Sequence, residues 1–169
     1  MATYRITKFD PAKRNEVGAY TDHSEWTSIS DIGKAEYRNL TYKQYEGVET
    51  AYISALKAIL AENGIVSLEV EDLELHTTQA DFITHKAVGR LRNVDISFDE
   101  LASLKNGLAL SIAQLDKIVR LILRETVWMN LVALGIKIQF GYDYYMYVQC
   151  KTLSASAISR IQQAGLFVE

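Results

Sequence analysis

At 169 residues the chain has the length of one domain and can bury most of its apolar surface unaided. An apolar content of 49% excludes a disordered protein, and no apolar run approaches the roughly 18 to 20 residues of a membrane-spanning helix. Net charge is −3 but uneven: between Glu46 and Glu100 eleven carboxylates stand against four bases, a local −7 that disfavours nucleic acid as a partner.

Residues 1–10 show no basic segment leading into an apolar stretch, so no secretory leader is read there. A lone cysteine, Cys150, excludes an internal disulfide and a cysteine metal cluster. With one proline and no linker-like stretch, the expectation is a single cytoplasmic domain over residues 1–169, with no membrane partner.

Thr3 to Phe9 alternates as a strand and stops at Asp10-Pro11. Residues 10–40 have no clear period and read as a long ordered loop or a pair of short turns, with Trp26, Ile29 and Ile32 at spacing three suggesting that it is pinned. Thr41 and Gln44 form a capping box, in which hydroxyl and amide satisfy orphan backbone donors. The helix behind it carries Tyr45, Val48, Tyr52, Ala55, Leu56, Ile59 and Leu60 on one face and ends at Asn63-Gly64.

Ile65 to Leu75 alternates again, Val66, Leu68 and Val70 against Ser67, Glu69 and Glu71, which predicts a half-buried strand with an acidic outer face. Residues 76–95 show no period and read as loop, with a short strand around Phe82–Thr84. Capping boxes at Ser97/Glu100 and Ser111/Gln114 open two helices, the first ending near Asn106-Gly107. The second has Ile112, Leu115, Ile118, Val119 and Ile122 inward, with Lys117, Arg120 and Arg124 on the solvent face.

From Thr126 the residue types turn β-like. Thr126–Leu134, Ile136–Phe140 and Tyr144–Val148, separated by Gly135 and Gly141–Asp143, predict a three-stranded meander. A helix over Ser154–Gln163 and a strand at Leu166–Glu169 close the chain. The fold class expected is α+β, a mainly antiparallel sheet with helices packed on it.

No phosphate loop, paired CxxC, HExxH or GxSxG occurs, and His23, His76 and His85 lie far apart, so the expectation is a non-enzyme without metal or cofactor. Cys150 reads as a small core residue, and an arrangement of Cys150, His85 and Asp143 has no support from spacing. Three blocks stand out together: Glu25-Trp-Thr-Ser-Ile-Ser-Asp-Ile-Gly33, Lys117-Ile-Val-Arg-Leu-Ile-Leu-Arg-Glu125 and Phe140-Gly-Tyr-Asp-Tyr-Tyr-Met-Tyr147. With Tyr4–Lys8 and the helix after Thr41, they resemble small bacterial toxin-immunity proteins of the contact-dependent growth inhibition type. The resemblance covers about two thirds of the chain, with residues 76–110 outside it. It implies a cytoplasmic immunity protein that neutralises a cognate toxin, a basic nuclease, by stoichiometric binding. No catalytic residue is carried over.

Tight interfaces concentrate energy in aromatic anchors, and an acidic surface speeds capture of a basic partner. The contacts expected are therefore Glu69, Glu71, Asp72 and Glu74 with Tyr142, Asp143 and Tyr144. Against this, the acidic third could be plain solvated surface, and strand alternation buries about half of the hairpin tyrosines. The alternative reading is a small module stacking single-stranded nucleic acid on the hairpin aromatics, with Arg120, Arg124, Lys137 and Lys151 as its cations.

Overall fold

The computed structural model describes residues 1–169, and its framework is an antiparallel sheet of seven strands. In chain order the elements are β1 (Ala2–Thr7), α1 (Tyr42–Glu62), β2 (Ser67–Leu75), α2 (Gln79–Ala87), α3 (Phe98–Ala102), β3 (Ala109–Ser111) and α4 (Leu115–Leu123). The meander β4 (Val127–Ala133), β5 (Ile136–Phe140) and β6 (Tyr145–Cys150) follows, then α5 (Ala155–Gln163) and β7 (Phe167–Val168). The sheet order is β3-β2-β4-β5-β6-β1-β7, so β1 returns beside β6 and the meander forms the centre. The class is α+β.

Alternation along the central strands makes two unlike faces. Met129, Leu131, Ile138, Phe140, Met146 and Val148 are buried and meet Tyr45, Tyr52, Leu56 and Ile59 of α1 in one apolar cluster. The other parity carries Trp128, Val132, Lys137, Gln139, Tyr145, Tyr147 and Gln149, all only partly covered. At one corner of that open face, Phe9 packs between Tyr20 and Tyr145, and Arg14 and Arg5 lie over the Tyr145 ring while both pair with Glu169.

Several expectations are corrected. Residues 79–87 form α2 rather than a short strand at Phe82–Thr84, because Thr78 and Asp81 make a capping box with the shorter acid. That helix buries only Phe82, against Phe98, so no apolar period marks it. The helix opened by Ser97 stops at Ala102, well before Asn106, and Ser111 starts a single 3-10 turn before α4. Val66 precedes β2 and is exposed.

Arg124 is not on a solvent face: it is fully buried. Glu49 on α1, also fully buried, accepts from its Nε and Nη2 at 2.7 Å each and from Arg120 Nη1. Arg124 Nη1 donates to the carbonyls of Arg90 (3.1 Å) and Arg92 (2.6 Å), and its guanidinium lies over the Tyr42 ring. A buried guanidinium requires this degree of satisfaction. The cluster ties α1 to α4 and holds the excursion of residues 76–108 in place.

Candidate functional site

β2 carries an irregularity that decides where its acids point. Glu71 pairs with Asn130 and Glu74 with Trp128, so three steps on β2 match two on β4, a β-bulge with Asp72 at φ 51°. Without the bulge Glu74 would turn toward the core. With it, Glu69, Glu71 and Glu74 share the open face. Asp72 accepts from Asn130 Nδ2 at 2.6 Å, and Lys137 lies 3.2 Å from Glu71 and 3.9 Å from Asp72. Part of the acidic strip is thus neutralised by its own sheet.

The β5–β6 connection is the second component. Gly141 begins it and is closely covered: a Cβ there would sit 3.1 Å from the Tyr147 ring, which would have to shift by a few tenths of an ångström. Tyr142 follows with 90% of its surface exposed, and then Asp143 and Tyr144 both adopt left-handed backbone, φ 59° and 63°. A left-handed tyrosine costs about 1–2 kcal/mol, so the surroundings must impose it. They do so twice. The Tyr144 carbonyl accepts from the Tyr52 hydroxyl, and the Tyr144 hydroxyl reaches Tyr45, whose own hydroxyl donates to the Leu123 carbonyl at 3.3 Å. Trp26 packs edge-on against Tyr144 at 5.0 Å. Burial, and then the charge of the neighbouring phenol, push the Tyr144 hydroxyl far above the usual tyrosine range, so it stays a neutral donor.

Tyr144 is therefore corrected from contact residue to core residue: at 4% exposure its ring cannot reach a partner. Tyr145 and Tyr147 fall on the open parity, as alternation requires, with Met146 inward.

The two components meet across a pocket of about 330 Å³ at the end of the sheet. Its wall includes Glu74 and His76 after the bulge, Val127 and Trp128 at the start of β4, and the turn from Phe140 to Tyr144. Ile122, Leu123 and Glu125 from the end of α4 and Thr27 and Ser28 from the long N-terminal loop complete it. Trp128 is fixed there by its indole N–H, which donates to the Phe140 carbonyl at 2.8 Å. Glu125 is held by Ser28 Oγ (2.8 Å) and Arg90 Nη2 (2.9 Å), and His76 Nε2 stands 3.5 Å from Glu74. No lysine or arginine contributes to the wall, and neither Glu74 nor Asp143 pairs with one.

The structure thus brings Glu74, Tyr142 and Asp143 together and leaves Glu69, Glu71 and Asp72 further along β2. Trp128, Glu125 and His76 are site residues that sequence reasoning missed. Alternation along β4 sets Trp128 on the face opposite Val127 and Met129, and a tryptophan on that parity was the available signal. Three of the four cations named for nucleic acid are engaged within the fold. Arg120 and Arg124 hold Glu49 among the helices, and Lys137 is engaged by Glu71. Cys150 ends β6 and Asp143 lies before its start, so the strand's length separates them, and no group of three or more His, Cys, Asp or Glu is placed to hold a metal. No helix is long and apolar enough to cross a membrane. Compared with protein families, curated proteins and solved structures, the chain matches none.

Proposed function

We propose that this protein is a cytoplasmic immunity-type inhibitor, which binds a basic partner protein, a toxic nuclease domain, stoichiometrically through the acidic end of its open sheet face. The observation that carries the reading is the convergence on one pocket. Glu74 and the Tyr142–Asp143 turn, about seventy residues apart in the chain, share a wall with Trp128 and His76 and with no lysine or arginine. Aromatics beside the Glu74 and Asp143 carboxylates, which no lysine or arginine compensates, supply anchor and steering at once. Glu69 extends the acid along β2 and adds to the long-range field, while Glu71 is compensated by Lys137.

The test is co-expression with the toxic domain encoded beside this chain. Protection of the cells and a one-to-one complex on purification are expected. Glu74→Lys with Asp143→Lys should weaken that complex by at least about tenfold, because charge reversal places like charges against the partner. Cell death with no co-purifying complex would overturn the reading.

A further inference from the structure

We infer that the pocket at the end of the sheet is a receptor for a single arginine side chain presented by a basic partner protein. The inference rests on the proposed inhibitor reading and specifies its central contact.

Size comes first. At about 330 Å³ the pocket lies at the small end of the range for ligand sites, about 300 to 1,000 Å³, so it suits one long side chain rather than a cofactor. Chemistry comes second. Half of the lining is apolar, with Trp128 and Tyr142 offering ring surface, and Glu74, Glu125 and Asp143 supply carboxylates. A flat, delocalised cation that stacks on an aromatic ring while its edge meets a carboxylate satisfies both at once. Guanidinium does this better than a compact, strongly hydrated ammonium. The protein already uses the pairing elsewhere, with Arg124 over Tyr42 and on Glu49.

Preorganisation comes third. The bulge at Asp72 turns Glu74 to the open face opposite Trp128, and two successive left-handed residues hold the turn that carries Tyr142 and Asp143. Strain of this kind persists only where the surrounding structure enforces it, and here it shapes the mouth of the pocket. Arg90 marks the limit of internal compensation by a permanent cation: it reaches Glu125 from outside the pocket, while Glu74 meets only His76, at 3.5 Å, and Asp143 pairs with no lysine or arginine.

The test is a titration of the full chain with three glycine-flanked peptides that differ only in the central residue: arginine, lysine or the neutral isostere citrulline. The readout is the tryptophan indole region of ¹⁵N-resolved NMR spectra. Trp128 and Trp26 are the two tryptophans, and Trp26, packed between Tyr45 and Tyr144, is the internal control. Arginine peptide should move the Trp128 indole and the Tyr142–Tyr144 amides saturably at millimolar concentration, lysine more weakly and citrulline not at all. Glu74→Gln with Asp143→Asn should lower the arginine affinity by about tenfold, the scale of a charge-assisted hydrogen bond. Equal shifts with citrulline, shifts confined to Glu69–Asp72, or a silent Trp128 would each overturn the inference. If Trp128 stays silent while the co-expressed toxin still co-purifies, the arginine receptor fails and the inhibitor reading stands. If arginine binds but no toxin is captured, the reverse holds.

Discussion

Replacing Glu49 by glutamine tests the internal account of this fold most directly. The side chain keeps its shape, so no cavity opens, and the change isolates the charge. Glu49 is the acceptor for both 2.7 Å bonds from Arg124 and for the bond from Arg120, and neither Glu49 nor Arg124 has any exposed surface. Removing one partner of a buried pair leaves the other uncompensated and costs about 3–5 kcal/mol. Glutamine retains a carbonyl acceptor, so the lower end, about 3 kcal/mol, is expected. With a urea m-value of about 2 kcal/mol/M, the unfolding midpoint should fall by about 1.5 M at unchanged m. A domain of ordinary stability, about 5–15 kcal/mol, survives that loss and remains measurable. Glu46→Gln is the control: Glu46 is partly exposed and lies 4.0 Å from Arg124, so it should cost no more than about 1 kcal/mol. Circular dichroism during urea unfolding reads both. A Glu49→Gln midpoint within about 0.5 M of the parent would refute the reasoning, since it would mean less than about 1 kcal/mol for a pair held out of water.

The phenol pair makes a symmetric prediction: Tyr144→Phe and Tyr45→Phe should each cost about 1 kcal/mol in urea unfolding, because either hydroxyl alone keeps the Leu123 carbonyl satisfied, Tyr45 at 3.3 Å and Tyr144 at 3.2 Å. A cost of about 3 kcal/mol for one variant alone would show that the remaining hydroxyl does not serve that carbonyl. His85 should titrate below the ordinary 6.5, first because it is desolvated and then because Arg90 is near, with Asp81 opposing. Its Nδ1 is buried without a partner. In the window below 6.5 the unfolded chain then binds more protons than the folded one, so stability falls as pH drops through that window. His85→Gln should flatten that slope in urea midpoints measured across it, and an unchanged slope would exclude His85 as its source.

Much of the fold is legible in the chain, because it is made of local events that a sequence states. The Thr41/Gln44 box, the stripe along α1, the Asn63-Gly64 stop and the β4–β6 meander each follow from propensities and periods over a few residues. What escaped is what depends on remote partners. α2 escaped because a helix that buries one residue carries no stripe, and only its Thr78/Asp81 box announced it. β3 escaped because its three residues are a strand only through pairing with Ser67–Glu69. Arg124 was read outward because basic residues spaced along one side of a helix ordinarily face water. Its burial is decided by Glu49, seventy-five positions away.

The candidate site divides in the same way. The acids of β2 and the exposed tyrosine turn could be named from composition and alternation alone, since each is a property of its own segment. Their convergence could not. A bulge changes which face Glu74 occupies without altering the hydrophobic pattern before it, and a left-handed tyrosine is stable only once Tyr45, Tyr52 and Trp26 surround it. The sequence by itself determined an α+β domain with an acidic strand and an aromatic hairpin. The tertiary structure decided that the hairpin gives one tyrosine to the core and its turn to a pocket, because burial and strain are settled by contacts between segments that sequence distance keeps apart.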